Sequence, residues 1–159
     1  MVAGGGAAID AAPFPETSRG AVFTWGIRGT TFSAVATGAS LDADLTLSVA
    51  EYGFSWEAPP TAGRHRVKVE NRGMEHHEVF IARLEPGKTA QDLLAWFEAA
   101  DGPPPAEPLG GVGLMKTGLS NVMEIDFTPG RYALYCFVPT SDGMPHFVHG
   151  MIQEFDVAD

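Results

Sequence analysis

Cysteine is almost missing from this chain. Its 159 residues include one, Cys136, so no disulfide can form within it. A chain of this length has no need of one, since it can bury roughly 70% of its unfolded surface. Basic residues are also scarce: ten Lys and Arg stand against twenty Asp and Glu, for a net charge of -10. That balance argues against nucleic acid and anionic membranes as partners and leaves basic proteins and metal cations. No apolar run approaches the ~20 residues of a membrane span. The opening MVAGGGAAIDAAPFPETSRG lacks a basic stretch followed by an apolar one, so no export signal is visible. It reads as a flexible leader, 1–20, before a single domain, 21–159.

Glycine and proline are abundant, with 19 and 12 copies. They favour short strands joined by turns over a helical bundle. Ala21 to Phe32 holds enough large apolar residues for one or two strands, and Ala34 to Ala43 reads as a loop. Leu45, Leu47 and Val49 alternate with Thr46 and Ser48, the pattern of a half-buried strand. Tyr52, Phe54 and Trp56 continue the two-residue period. After Pro59-Pro60 and Gly63, Arg64 to Glu70 alternates again, with His65, Val67 and Val69 inward; His65 reads as a satisfied core or edge histidine. Asn71-Arg72-Gly73 is a turn, and His77 to Leu84 a strand. Thr89 is an N-cap with Asp92 three residues on, opening a helix over Ala90 to Ala100 whose Leu93, Leu94, Trp96 and Phe97 would cover the sandwich. Asp101 to Gly113 reads as a Gly/Pro-rich loop. Val122 to Phe127, Arg131 to Val138 and Met151 to Val157 are strands. The pattern is all-β: an antiparallel β-sandwich with one short helix in a loop insertion.

The lone cysteine opens the segment CFVPTSDGMPHFVHGM, which also holds His146, His149, Met144 and Met151. Cys136 ends one strand and Met151 begins the next, so a hairpin-like connection brings them close. A histidine from the separate 71–84 stretch could close the site. His76 and His77 compete for that place, because neighbours on a strand face opposite ways. His146 competes with His149, which reads as an exposed loop residue. Two histidines, a cysteine and a methionine form the ligand set of a blue-copper centre. Thiolate and thioether suit Cu(I) and imidazole suits Cu(II), so a mixed set on a stiff sandwich needs little rearrangement when an electron moves. An exposed His146 between Pro145 and Phe147 would give such a metal its edge to solvent, with Met74 and Met144 as an apolar rim.

Met74-Glu-His-His-Glu-Val-Phe, Pro129-Gly-Arg-Tyr-Ala-Leu-Tyr-Cys136 and the segment from Cys136 to Met151 together resemble the cupredoxin family, over about residues 44 to 157. The likeness is to a bacterial branch of single-domain members. It implies a Greek-key β-sandwich, exported to the periplasm or beyond, that carries one copper and passes single electrons to a redox partner. Carried over by residue, it implies the metal ligands His77, Cys136, His146 and Met151, with Asn71 a turn residue near the site. The segment between Cys136 and His146 is longer than in small plant and bacterial cupredoxins. His149-Gly-Met151 also resembles the end of a copper-chaperone motif, but Phe127 stands where that motif has a methionine.

Several functions share these residues. A monomeric single-electron carrier leads, followed by copper storage or delivery, then a metal-free cupredoxin-like binding domain. Multicopper oxidase chemistry needs His-x-His and His-Cys-His clusters, which are missing, and a dinuclear copper centre needs a second cysteine. An enzymatic role is not expected. A cysteine hydrolase could use Cys136 and His146 but would leave Met151 unexplained.

Overall fold

The computed structural model describes the backbone of residues 22–27 and 30–35, and residues 42–99 and 101–158 in full. The expected leader, 1–20, lies outside these residues, as does most of the loop expected between Ala34 and Ala43. Ten strands and a helix follow in order: β1 (Val22–Ile27), β2 (Thr30–Val35), β3 (Leu45–Ala50), β4 (Gly53–Trp56), β5 (Gly63–Asn71), β6 (His77–Leu84), α1 (Ala90–Ala99), β7 (Ala106–Met115), β8 (Ser120–Phe127), β9 (Gly130–Tyr135) and β10 (Ile152–Val157). One sheet has the order β1-β2-β8-β5-β3-β4 and the other β10-β9-β6-β7. The chain changes sheet after β5, after β7 and after β8. Every named pairing is antiparallel except β3 with β5, which run parallel.

Two-residue periodicity builds the space between the sheets. Leu45, Leu47 and Val49 of β3 and Val67 and Val69 of β5 are buried there, facing Val79 and Ile81 of β6 and Tyr132 and Leu134 of β9. The alternate residues of β6 and β9 point the other way. Phe80, Ala82 and Leu84 join Ala133 and Tyr135 under Leu93 and Trp96 of α1, so the helix covers the outer face of its sheet. Thr89 and Asp92 cap it reciprocally: the Thr89 amide and hydroxyl donate to the Asp92 carboxylate at 2.8 and 2.7 Å, and the Asp92 amide donates back to Thr89 Oγ1 at 3.2 Å. At the start of β9, the Tyr132 hydroxyl donates to the Thr128 carbonyl at 2.7 Å and accepts from the Thr128 amide at 3.0 Å. That clamp fixes the turn from which β9 runs toward Cys136.

Two sequence expectations need correction. The period through Tyr52, Phe54 and Trp56 does not extend one strand. The chain reverses at Glu51 and Tyr52, where Tyr52 adopts φ 59°, and β4 returns antiparallel to β3. Period counting cannot see such a reversal, because Val49 and Phe54 keep facing inward on both sides of it. The loop expected over 101–113 contains the start of β7. Pro108 is tolerated there because β7 is an edge strand. At Gly111 a Cβ would stand 1.8 Å from the Val79 carbonyl oxygen, so a glycine that reads as a loop marker is there for close strand contact.

Candidate metal centre

Parity places the cysteine. Tyr132 and Leu134 face the inter-sheet core, so Cys136, just past the end of β9, faces it too and is fully buried. The same logic on β6 puts His77 inside with Val79 and Ile81 and turns His76 out, where it is exposed. His146 comes from the long connection between β9 and β10. That connection is a compact hairpin: its stem is a bridge between Pro139 and Pro145, and its tip is closed by Thr140 amide to Met144 carbonyl at 2.8 Å and Gly143 amide to Thr140 carbonyl at 2.9 Å. His146 is seated by its own amide, which donates to the Val138 carbonyl at 2.9 Å, and by its carbonyl, which accepts from the Met151 amide at 3.0 Å. The loop's length is therefore absorbed in its tip, away from His146.

The three side chains converge. One ligand atom from each of His77, Cys136 and His146 lies within 4.8 Å of the others, and all three residues are buried. The two Nδ1 atoms are 3.1 Å apart, and His146 Nδ1 is 3.4 Å from Cys136 Sγ. Donor atoms that share one ion at ~2.0–2.3 Å stand roughly 3.3–3.7 Å from each other, close to this spacing. The fold that presents them is a two-sheet β-sandwich with one short helix.

Neither a protein-family model nor a curated protein matches the chain. Among solved structures it is similar to the crystal structure of dithionite-reduced auracyanin from the photosynthetic bacterium Roseiflexus castenholzii, with a TM-score of 0.49 and 20% identity, over 72% of this chain and 95% of that one.

In this sandwich, the remaining expected residues fall as follows. Met151 is fully buried just before β10, and its carbonyl accepts from the Cys136 amide at 3.3 Å. His149 is exposed and faces Asp142 at 3.3 Å. His65 lies on β5, with Nδ1 2.5 Å from Asp44 and Nε2 3.0 Å from the Thr61 carbonyl. Asn71 does more than turn the chain. It is buried, donates to the Glu75 and Met115 carbonyls at 2.8 and 3.0 Å, and accepts from the Gly73 amide at 2.9 Å. It thereby pins the 71–77 loop to β7 just before His77.

The expected exposed edge at His146 is not there. The residue is 1% exposed. The Tyr52 ring packs edge-on against it at 5.4 Å, and the Glu75 carboxylate sits 3.1 Å from its Nε2. Met74 and Met144 are exposed, as a rim would be, at 84% and 46%. Sequence reading also missed Glu51, Glu75 and Glu78. The Glu78 amide donates to Cys136 Sγ at 3.4 Å, and its carboxylate accepts from the Phe137 amide at 2.9 Å. Burial raises the Glu78 carboxyl above its usual range.

Burial also raises the Cys136 thiol, against the lowering effect of the Glu78 and Val138 amides. Burial, and then the neighbouring His146, lower His77. A neutral imidazole and a sulfur that must lose its proton are what a metal requires of its ligands. The same facts speak against a hydrolase: the sulfur is fully buried and its thiol form is favoured. The donor set fits a soft, nitrogen-tolerant ion: a thiol sulfur and two imidazole nitrogens lie within 4.8 Å of one another, all on buried residues.

Proposed function

We propose that this protein would hold one copper ion through His77 Nδ1, Cys136 Sγ and His146 Nδ1, with the Met151 thioether as a fourth donor, and carry single electrons between redox partners. The observation that carries this reading is the convergence of two imidazole nitrogens and a thiol sulfur within 4.8 Å at a buried point. Imidazole with thiolate is the donor mixture of copper electron-transfer sites. When bound, copper supplies one-electron chemistry between Cu(II) and Cu(I). The chain's own residues hold the geometry. His77 is fixed on β6, Cys136 is fixed by the pairing of β9 with β10, and His146 is held by its backbone bonds to Val138 and Met151. The Glu78 amide offers the sulfur a donor that favours its anionic form.

Burial of all three ligands speaks for an ion that is retained, so an electron carrier ranks above a copper storage or delivery protein. The reading carries with it a non-enzymatic, monomeric protein working in the periplasm or outside the cell. No described helix is long and apolar enough to cross a membrane. With a net charge of -10, a basic redox partner suits the surface.

The test is to load the purified chain with Cu(II) and record the visible spectrum. An intense thiolate-to-copper band is expected, lost in Cys136→Ser. A missing band, or one that survives in Cys136→Ser, overturns the proposal. Rapid surrender of copper to a chelator, together with slow electron self-exchange, would reverse the order of carrier and delivery protein.

A further inference from the structure

Both imidazoles of the cluster turn their second nitrogen toward a carboxylate. Glu75 Oε2 lies 3.1 Å from His146 Nε2, and Glu51 Oε1 lies 3.8 Å from His77 Nε2. We propose that Glu75 and Glu51 are positioning residues: Glu75 holds the His146 proton on Nε2, and Glu51 is placed to hold the His77 proton on Nε2 once a metal takes Nδ1, so that both Nδ1 lone pairs can serve the metal. The inference rests on the copper reading above.

The argument begins with inventory. A neutral imidazole has one N–H and one lone pair, and an ionised carboxylate only accepts. At 3.1 Å from Glu75, His146 Nε2 is the donor, so its Nδ1 is a lone pair aimed at Cys136 and His77. Without a metal, the Nδ1 contact of 3.1 Å between the two rings needs one proton, and His77 must supply it. That leaves His77 Nε2 a bare lone pair. It is the buried nitrogen without a partner, held off Glu51 at 3.8 Å. To bind a metal, His77 must give up its inner proton. The same ring can carry that proton on Nε2, where Glu51 is placed to accept it. One carboxylate thus holds a tautomer already formed, and the other is set for a tautomer that loading requires.

Neither carboxylate is a stray surface charge. Glu51 Oε1 accepts the amides of Met74 and Glu75, the latter at 2.9 Å. The adjoining Tyr52 takes a left-handed backbone, uncommon for a bulky residue. At Gly73 a Cβ would stand 2.6 Å from Glu51 Oε1 and 2.9 Å from His77 Nε2, so glycine is what lets them approach. Because Glu51 also binds the Glu75 amide, it orders the loop that presents Glu75 to His146.

The test has a metal-free part and a loaded part. In the native metal-free protein, long-range ¹H–¹⁵N spectra of the histidine rings should show His146 protonated on Nε2 and His77 on Nδ1. On loading with Cu(I), the His77 proton should appear on Nε2. Glu75→Ala should lower copper affinity by ~10–100-fold, as loss of an outer partner to a metal-bound histidine does, and should mix the His146 tautomers. Glu75→Gln keeps an oxygen acceptor and should lie between. A His146 that carries its proton on Nδ1 in the native protein, or a Glu75→Ala variant with native affinity, overturns the inference. Should no copper bind, the electron-carrier reading falls while the metal-free spectra still decide this one. If Glu75→Ala does not fold, Glu75→Gln and the native spectra decide it.

Discussion

His65 and His77 lie on successive strands at opposite ends of the sandwich, and they have opposite surroundings. Both His65 nitrogens face oxygen: the Asp44 carboxylate at 2.5 Å and the Thr61 carbonyl at 3.0 Å. These partners are oxygen atoms, and His65 is not part of the cluster of possible metal-ligating side chains among the described residues. His77 faces another imidazole nitrogen at 3.1 Å and has its second nitrogen unpartnered. Partly buried histidine is therefore not the signal of a site. A histidine whose neighbours also bring lone pairs is, because only a shared proton or a cation can make that meeting favourable. β5 joins the two ends: His65 stands near its start and Asn71 at its close, roughly 20 Å apart at strand rise.

The largest effect is expected at Asn71, which supports the metal end without touching the cluster. Asn71→Ala removes three hydrogen bonds, two of them buried, and leaves the Met115 carbonyl and the Gly73 amide short of partners. A loss of about 2–4 kcal/mol is expected by urea unfolding, together with weaker copper binding as the 71–77 loop loosens. An Asn71→Ala protein with native stability and native copper affinity would show that the loop holds His77 without this pin.

How much of this was legible depended on the range of the interaction. The sequence brought Cys136 near Met151 through a hairpin-like connection and showed that only one of His76 and His77 could face inward, but not which; in the fold, the parity of β9 and β6 turns Cys136 and His77 to the inner face. Asn71 read as a turn residue, but its hold on Met115 depends on β7, a strand hidden by Pro108 and by the close-packed Gly111. Glu51 and Glu75 gave no sequence signal. They meet because the parallel pairing of β3 with β5 brings the Glu51 turn beside the loop that follows Asn71. The cover over His146 was misread for the same reason: Tyr52 reaches it from the β3–β4 reversal, which alternation cannot reveal.

A smaller effect sharpens the contrast from the other end. His65→Ala should cost about 1–2 kcal/mol, since it removes two hydrogen bonds at a ring that is 13% exposed. It should leave the copper band and copper affinity unchanged. A His65→Ala protein that loses its copper spectrum would mean that the two ends are coupled through β5, and that the satisfied histidine is more than a fastening.

The smallest effect is in the pH dependence of the metal-free protein, where the two ends act in different windows. Burial, then His146, hold His77 below its usual value of 6.5. A group lowered in this way is protonated first in the unfolded chain, so as pH falls below 6.5 the unfolded state gains protons and stability begins to drop. Asp44 acts lower down. Burial pushes its carboxyl up, but hydrogen bonds from His65 and the Arg66 amide outweigh that and hold it below 3.8. Its contribution is complete above 3.8 and is lost as pH falls through the folded value. Urea midpoints taken between pH 8 and pH 3 should therefore fall in two stages. His77→Ala should flatten the upper stage and His65→Ala should make the lower one shallower, because Asp44 then loses a partner. If His65→Ala flattened the upper stage instead, the two histidines would have exchanged the roles that their neighbours assign them.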